Sequence, residues 1–186
     1  MVYDIVIGRS SSDYAKYGTQ GTILLGKHYV KMGRTVSLSN PILLDMIRSH
    51  VIFVCGKRGG GKSYTMGVIA EGMADLPDEI RQNLSIIMLD TMGIYWTMKY
   101  PNNKERDILD EWQMKPHALS PIIYTPVGFY NKYRDEGIPT DRPFSICPNE
   151  LQASDWVTLF GVTVNDPIGV LVTRVVHELR DAVQDG

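Results

Sequence analysis

Two runs of apolar residues organise the pattern of this chain: Val51-Ile52-Phe53-Val54-Cys55, and the stretch from Leu84 to Leu89. Short, nearly unbroken apolar runs of this kind are the signature of strands covered on both faces, as in a parallel sheet. Between them Met66, Ile69, Ala70 and Met73 recur at i, i+3, i+4 and i+7, one face of a helix that Pro77 brings to a close. In front of this pair lie shorter signals. Tyr3 to Ile7 alternates, Gly21 to Leu25 and Thr35 to Leu38 are short strand-like runs, and Gly18, Gly26 and Gly33 punctuate them. Ile42 to Ile47 reads as one helical turn. Behind the pair, Asn103 to Met114 reads as a helix with Ile108, Leu109 and Trp112 inward. Ile122-Ile123-Tyr124 and Phe144 to Cys147 are candidate third and fourth strands, and Ser154 to Phe160 a helix closed by Gly161. Asp166-Pro167 is a cap and first position for a last helix, whose apolar face is Ile168, Leu171, Val175, Leu179 and Ala182. Strands alternating with helices predict an α/β fold: a parallel sheet with flanking helices. The expected division is a small β unit at 1–47 and the main domain at 48–186.

The bulk composition leaves this picture intact. The 44% hydrophobic and 22% charged residues are ordinary for a globular protein, and 186 residues allow about one core with an appendage. No stretch approaches the roughly 20 apolar residues of a membrane span, and Met1-Val2-Tyr3-Asp4 lacks the basic start of a signal peptide. Two cysteines, Cys55 and Cys147, make no disulfide framework, and Cys55 reads as a buried thiol in the central strand. The expected compartment is the cytoplasm. The net charge of −2 is unevenly spread. Residues 1–66 hold 9 Lys/Arg against 3 Asp/Glu, and residues 67–186 hold 10 against 18. The basic front fits nucleic acid, an acidic neighbour, or simply a solvated surface whose Lys57, Arg58 and Lys62 belong to a phosphate site.

The chemistry is concentrated where the first apolar run meets the helix. Gly56-Lys57-Arg58-Gly59-Gly60-Gly61-Lys62-Ser63 fits G-x-x-x-x-G-K-[ST], and the strand before it and helix after it are the context this pattern requires. Glycines allow a nest of backbone N–H groups, which hold phosphate oxygens best at a helix N-terminus. Lys62 supplies a point charge between the outer phosphates, and the Ser63 hydroxyl a ligand for Mg²⁺. The expected nucleotide site is therefore Gly56, Lys57, Arg58, Gly59, Gly60, Gly61, Lys62, Ser63 and Tyr64, with ATP and Mg²⁺ as ligands. Arg58 either touches phosphate or points to solvent.

The second apolar run ends on a carboxylate, Ile86-Ile87-Met88-Leu89-Asp90. Two readings are open for Asp90: an acid holding Mg²⁺ directly or through water, or a turn former at a strand end. Asp90-Thr91-Met92-Gly93 also fits the D-x-x-G of GTPases. Their guanine-reading N-K-x-D is missing, since Asn103-Lys104-Glu105-Arg106 and Asn131-Lys132-Tyr133-Arg134 both place the acid one residue late. His28, His50, His117 and His177 lack metal-site spacing. Arg174 and Arg180 read as a solvated helix face or as a finger reaching a neighbouring subunit. Tyr95, Trp96 and Tyr100 fit packing or base stacking.

His50 through Thr65 resembles the phosphate loop of HerA-type ATPases in the HerA–FtsK superfamily, and Asp90-Thr91-Met92-Gly93-Ile94-Tyr95 is similar to that family's D-P-H-G-E-Y segment. Gly21 to Leu38 looks like part of the small β-barrel these ATPases carry in front. The resemblance implies a P-loop NTPase of RecA/ASCE-like type, preceded by a small N-terminal β unit. It also implies a hexameric motor on double-stranded DNA, often paired with a nuclease, with Lys62 and Asp90 as the catalytic residues and Ser63 and Asp90 at the metal. This chain departs from the family at Ile94, which stands where the motif has an acid. It also has no later apolar strand ending in Asp-Glu to activate water. That departure fits either the front part of a longer motor or a nucleotide-binding assembly module without turnover. A small kinase using Asp90 beside the P-loop is a third reading.

Overall fold

The computed structural model describes residues 3–184. They form two compact units, one ending at Pro121 and one beginning at Ile122.

The first unit is built on a three-stranded sheet. Strand β1 (Ile5–Ile7) is followed by helix α1 (Ser11–Tyr17), β2 (Thr22–Met32) and β3 (Thr35–Asp45). β3 lies in the middle, parallel to β1 and antiparallel to β2. Met32 pairs with Thr35, so only Gly33 and Arg34 make the hairpin turn. Gly33 takes φ 61° at the first central position, the arrangement of a two-residue loop that follows the strand twist. Register shifts at Leu24/Gly26 and Lys27/Tyr29 bend the ribbon. Ser10 caps α1 by accepting the Asp13 N–H at 3.1 Å.

The helix α2 (Lys62–Ala74) lies against β2. Ile23, Leu44 and Leu76 form the buried centre, with Ile69, Met73, Ile80 and Leu84 packed on it. The helical face read from the sequence is therefore the packed one at Ile69, Ala70 and Met73, while Met66 is exposed. Gly72 permits the close approach, because a Cβ there would lie 2.9 Å from Ile23 Cβ. Two short helices follow, α3 (Asp78–Arg81) and α4 (Arg106–Glu111), with a 3₁₀ turn at Tyr95–Lys99 between them.

The end of β3 carries a buried ionic cluster. The Asp45 carboxylate is fully buried and accepts Arg9 Nε at 2.8 Å, a second Arg9 nitrogen, His50 Nε2 at 3.0 Å and the Arg48 N–H at 3.1 Å. Arg9 also donates to the carbonyls of Gly18 and Gln20. Burial alone would raise the Asp45 pKa, but the hydrogen bonds from Arg9, His50 and the backbone outweigh it and hold the carboxyl below its usual range.

The second unit opens with a parallel β-α-β unit: β4 (Tyr124–Pro126), α5 (Val127–Asp135) and β5 (Arg142–Phe144). A helical pair follows, α6 (Ala153–Leu159) and α7 (Pro167–Gln184). A capping box between Gln152 and Asp155 starts α6, which buries Ala153 and Val157.

Several expectations need correction. The runs 51–55 and 84–89 are not strands among the described residues. Val51 is 102% exposed, Phe53 88% and Leu89 91%. A run apolar on both faces needs sheet neighbours to cover it and to satisfy its N–H and C=O groups; no described strand pairs with either run. Cys55, read as buried, is accordingly exposed. The fold is mixed α/β with small sheets, and its parallel pairs are β1·β3 and β4·β5, not a sheet around the glycine loop. Ile42 to Asp45, read as the start of a helical turn, belongs to β3.

Candidate functional site

The glycine loop leads directly into α2. Lys62 is the first helical residue, and Gly61, its cap, takes φ 81°; Gly59 takes φ 77°. Within the loop the Gly60 N–H donates to the Lys57 carbonyl at 3.0 Å. The Thr65 N–H and hydroxyl both donate to the Gly61 carbonyl, at 2.9 and 3.1 Å. The Lys62 ammonium folds back on the loop, 3.0 Å from the Gly56 carbonyl and 2.8 Å from that of Lys57. Ammonium has three donors, so one remains for an anion. No described residue accepts the N–H of Gly61, Lys62, Ser63 or Tyr64. These are the orphan donors that every helix start presents, and here they converge with a lysine. An added Cβ would meet nothing within 4 Å at Gly59 or Gly61, so the mouth of the loop is open. Donor set, charge and space fit a triphosphate.

Lys57, Arg58 and Ser63 are exposed, as is the Tyr64 side chain. Tyr64 therefore offers the site its backbone N–H. The Ser63 hydroxyl stands in the first helical turn, where it would meet a metal on the phosphates.

Asp90 is in the same unit, and its carboxylate is engaged. It accepts the N–H groups of Met92 at 3.2 Å, Ile94 at 2.7 Å and Tyr95 at 2.8 Å. This is the turn-forming geometry, with Gly93 at φ 62° inside it. A carboxylate has about four lone-pair sites, so three N–H donors leave roughly one for water or metal.

The other candidates have defined places. Tyr95 donates its hydroxyl to the Ser63 carbonyl at 3.2 Å. Trp96 and Tyr100 make an edge-to-face pair with centroids 6.1 Å apart. Arg180 donates to the carbonyls of Asn149 and Leu151 and to Gln152 Oε1, all within 3.0 Å, so it ties α7 to the start of α6. Arg174 pairs with Glu178 at 2.8 Å on an exposed face. His50 and His117 meet Asp45 and Asp75, each at 3.0 Å. Among the described residues no group of three His, Cys, Asp or Glu is placed to hold a metal. Asp110-Glu111, preceded by Ile108-Leu109, lies in helix α4 and not at a strand end. The Tyr95–Ser63 contact was not legible in the sequence beyond the presence of both motifs.

Residues 30–183 match the family described as the central domain of the helicase HerA. The chain belongs to this family. The match takes in the glycine loop, α2, the Asp90–Tyr95 segment and the second unit as far as residue 183, and it makes the chain a HerA-type, P-loop ATPase domain in general terms. No curated protein and no solved structure matches the chain. No helix among the described residues is long and apolar enough to cross a membrane.

Proposed function

We propose that this chain is the nucleotide-binding part of a HerA-type motor that uses ATP to move on double-stranded DNA. The observation that carries the proposal is the start of α2, where unclaimed N–H groups converge with the Lys62 ammonium at an open glycine loop. The amides of Gly61 to Tyr64, flanked by Gly56, Lys57, Arg58, Gly59 and Gly60, would hold the phosphates. Lys62 would exchange its carbonyl partners for the outer phosphate oxygens, and Ser63 would meet Mg²⁺. Asp90 has room for a water of the metal shell. Bound ATP-Mg²⁺ supplies the phosphoanhydride whose cleavage drives movement. The family's description as a helicase supports DNA as partner and a ring of copies, expected to be a hexamer, as the working form. A nuclease partner, a cytoplasmic setting, and a division into a front β unit at 1–47 and an ATPase core at 48–186 belong to the same proposal.

A second reading is a nucleotide-binding assembly module without turnover. It is favoured by the engagement of Asp90 with three backbone N–H groups and by the helical setting of Glu111. Steady-state ATP hydrolysis, with and without duplex DNA, separates the two. The motor reading expects DNA-stimulated turnover that Lys62→Ala lowers by about 10²–10³-fold, the loss typical of removing one charge-stabilising group. Binding without turnover favours the module, and absence of binding refutes both.

A further inference from the structure

We infer that Tyr95 is a positioning residue that links the Asp90–Tyr95 turn to the phosphate loop, so that nucleotide bound at the loop is felt by the 3₁₀ turn at Tyr95–Lys99. The inference rests on the phosphate-loop reading above and deepens it, by assigning that site a responding element.

Both ends of the link are on defined atoms. At one end the Asp90 carboxylate gathers the N–H groups of Met92, Ile94 and Tyr95. Three charge-assisted bonds on one side chain fix the backbone where Tyr95 begins its turn. Thr97 continues it, its N–H and hydroxyl both donating to the Ile94 carbonyl. At the other end the Tyr95 hydroxyl reaches the carbonyl of Ser63. In a helix that carbonyl already faces the N–H four residues on, and its second lone pair is what Tyr95 uses. Ser63 also carries the hydroxyl expected at the metal. Any rotation of its peptide on binding therefore acts on Tyr95 across one hydrogen bond.

Packing holds the two segments in register. Gly67, one turn after Ser63, faces the 3₁₀ turn: a Cβ there would lie 3.5 Å from Met98 Cε and 4.0 Å from Tyr95 Cε1. The far end of the turn is tied down by the Leu119 N–H, which donates to the Met98 carbonyl at 2.8 Å. The turn thus has one anchor on Asp90, one on the phosphate-loop helix and one on the segment before Pro121.

Hydrogen exchange of the whole chain with Mg²⁺ and a non-hydrolysable ATP analogue at saturation tests this. In the wild type, nucleotide should slow exchange in peptides covering 56–66 and also in those covering 90–100. The second effect should be roughly 2- to 12-fold, the equilibrium factor of one hydrogen bond. Tyr95→Phe removes only the hydroxyl; it should keep the slowing at 56–66 and lose it at 90–100. Slowing confined to 56–66 in the wild type overturns the link and leaves the phosphate-loop reading standing. Slowing at neither segment overturns the phosphate-loop reading and the link with it. A Phe variant that keeps both effects shows that the hydroxyl is not the link, and one that loses both at saturation makes Tyr95 part of binding itself; either result overturns the inference. The wild-type comparison can overturn the link by itself even if the variant fails to fold.

Discussion

Arg9 and Asp45 are the most consequential pair of single residues outside the loop. Both side chains are essentially buried, at 0% and 1% exposure. Such a pair adds little net stability against an apolar replacement, but removing one member strands the other charge. Arg9→Ala is therefore expected to cost about 3–5 kcal/mol, read by denaturant unfolding. The pH dependence follows from the same cluster. The Asp45 carboxyl is held below its ordinary value of 3.8, so the folded state binds its proton less readily than the unfolded chain. Its contribution to stability is complete above that ordinary value and is lost as pH falls through the lower folded value. Acid unfolding midpoints should shift toward neutral pH in Arg9→Ala relative to the wild type. None of this was legible in the sequence, where Arg9 stands 36 residues before Asp45 and nothing in local pattern joins it to Asp45 and His50.

Among the elements, those legible in the sequence are set by local periodicity and caps. The helix after the glycine loop, α6, and the Asp166-Pro167 start of α7 follow from residues within one turn of each boundary. Short polar helices such as α1 (SSDYAKY) and α5 (VGFYNKYRD) carry no apolar stripe to reveal them. In α7 the apolar stripe was legible but its buried side was not. Ile168, Leu171, Val175 and Leu179 are exposed, whereas Gly169 is buried and Val172 and Val176 are half-buried. Gly169 explains the choice: a Cβ there would fall 1.9 Å from the Thr163 carbonyl oxygen, so the small residue marks the close side. The contact of α2 with β2 is similarly glycine-dependent. Gly72→Ala should gain about 1 kcal/mol of helix propensity and lose about 1–3 kcal/mol by crowding Ile23. A net loss of up to about 2 kcal/mol in denaturant unfolding is expected; a gain would mean that β2 yields to the added methyl.

For the molecule as a whole, family membership and site geometry meet at one place. The HerA central-domain match covers residues 30–183, and within it the start of α2 gathers the loop amides, Lys62 and Ser63. The glycine pattern made this site legible, because each residue type in it answers a requirement of phosphate. The exposed, unpaired state of the runs 51–55 and 84–89 was not foreseeable, because an apolar run reports that a strand wants covering and not which strand covers it. The most direct test of the central claim is equilibrium binding of Mg-ATP to the wild-type chain and to Lys62→Ala by calorimetry. One charged hydrogen-bonding group on phosphate should change affinity by roughly 10- to 150-fold. Saturable one-site binding weakened to that extent by Lys62→Ala is the expected result; equal affinity in the two proteins, or no binding by the wild type, would contradict it.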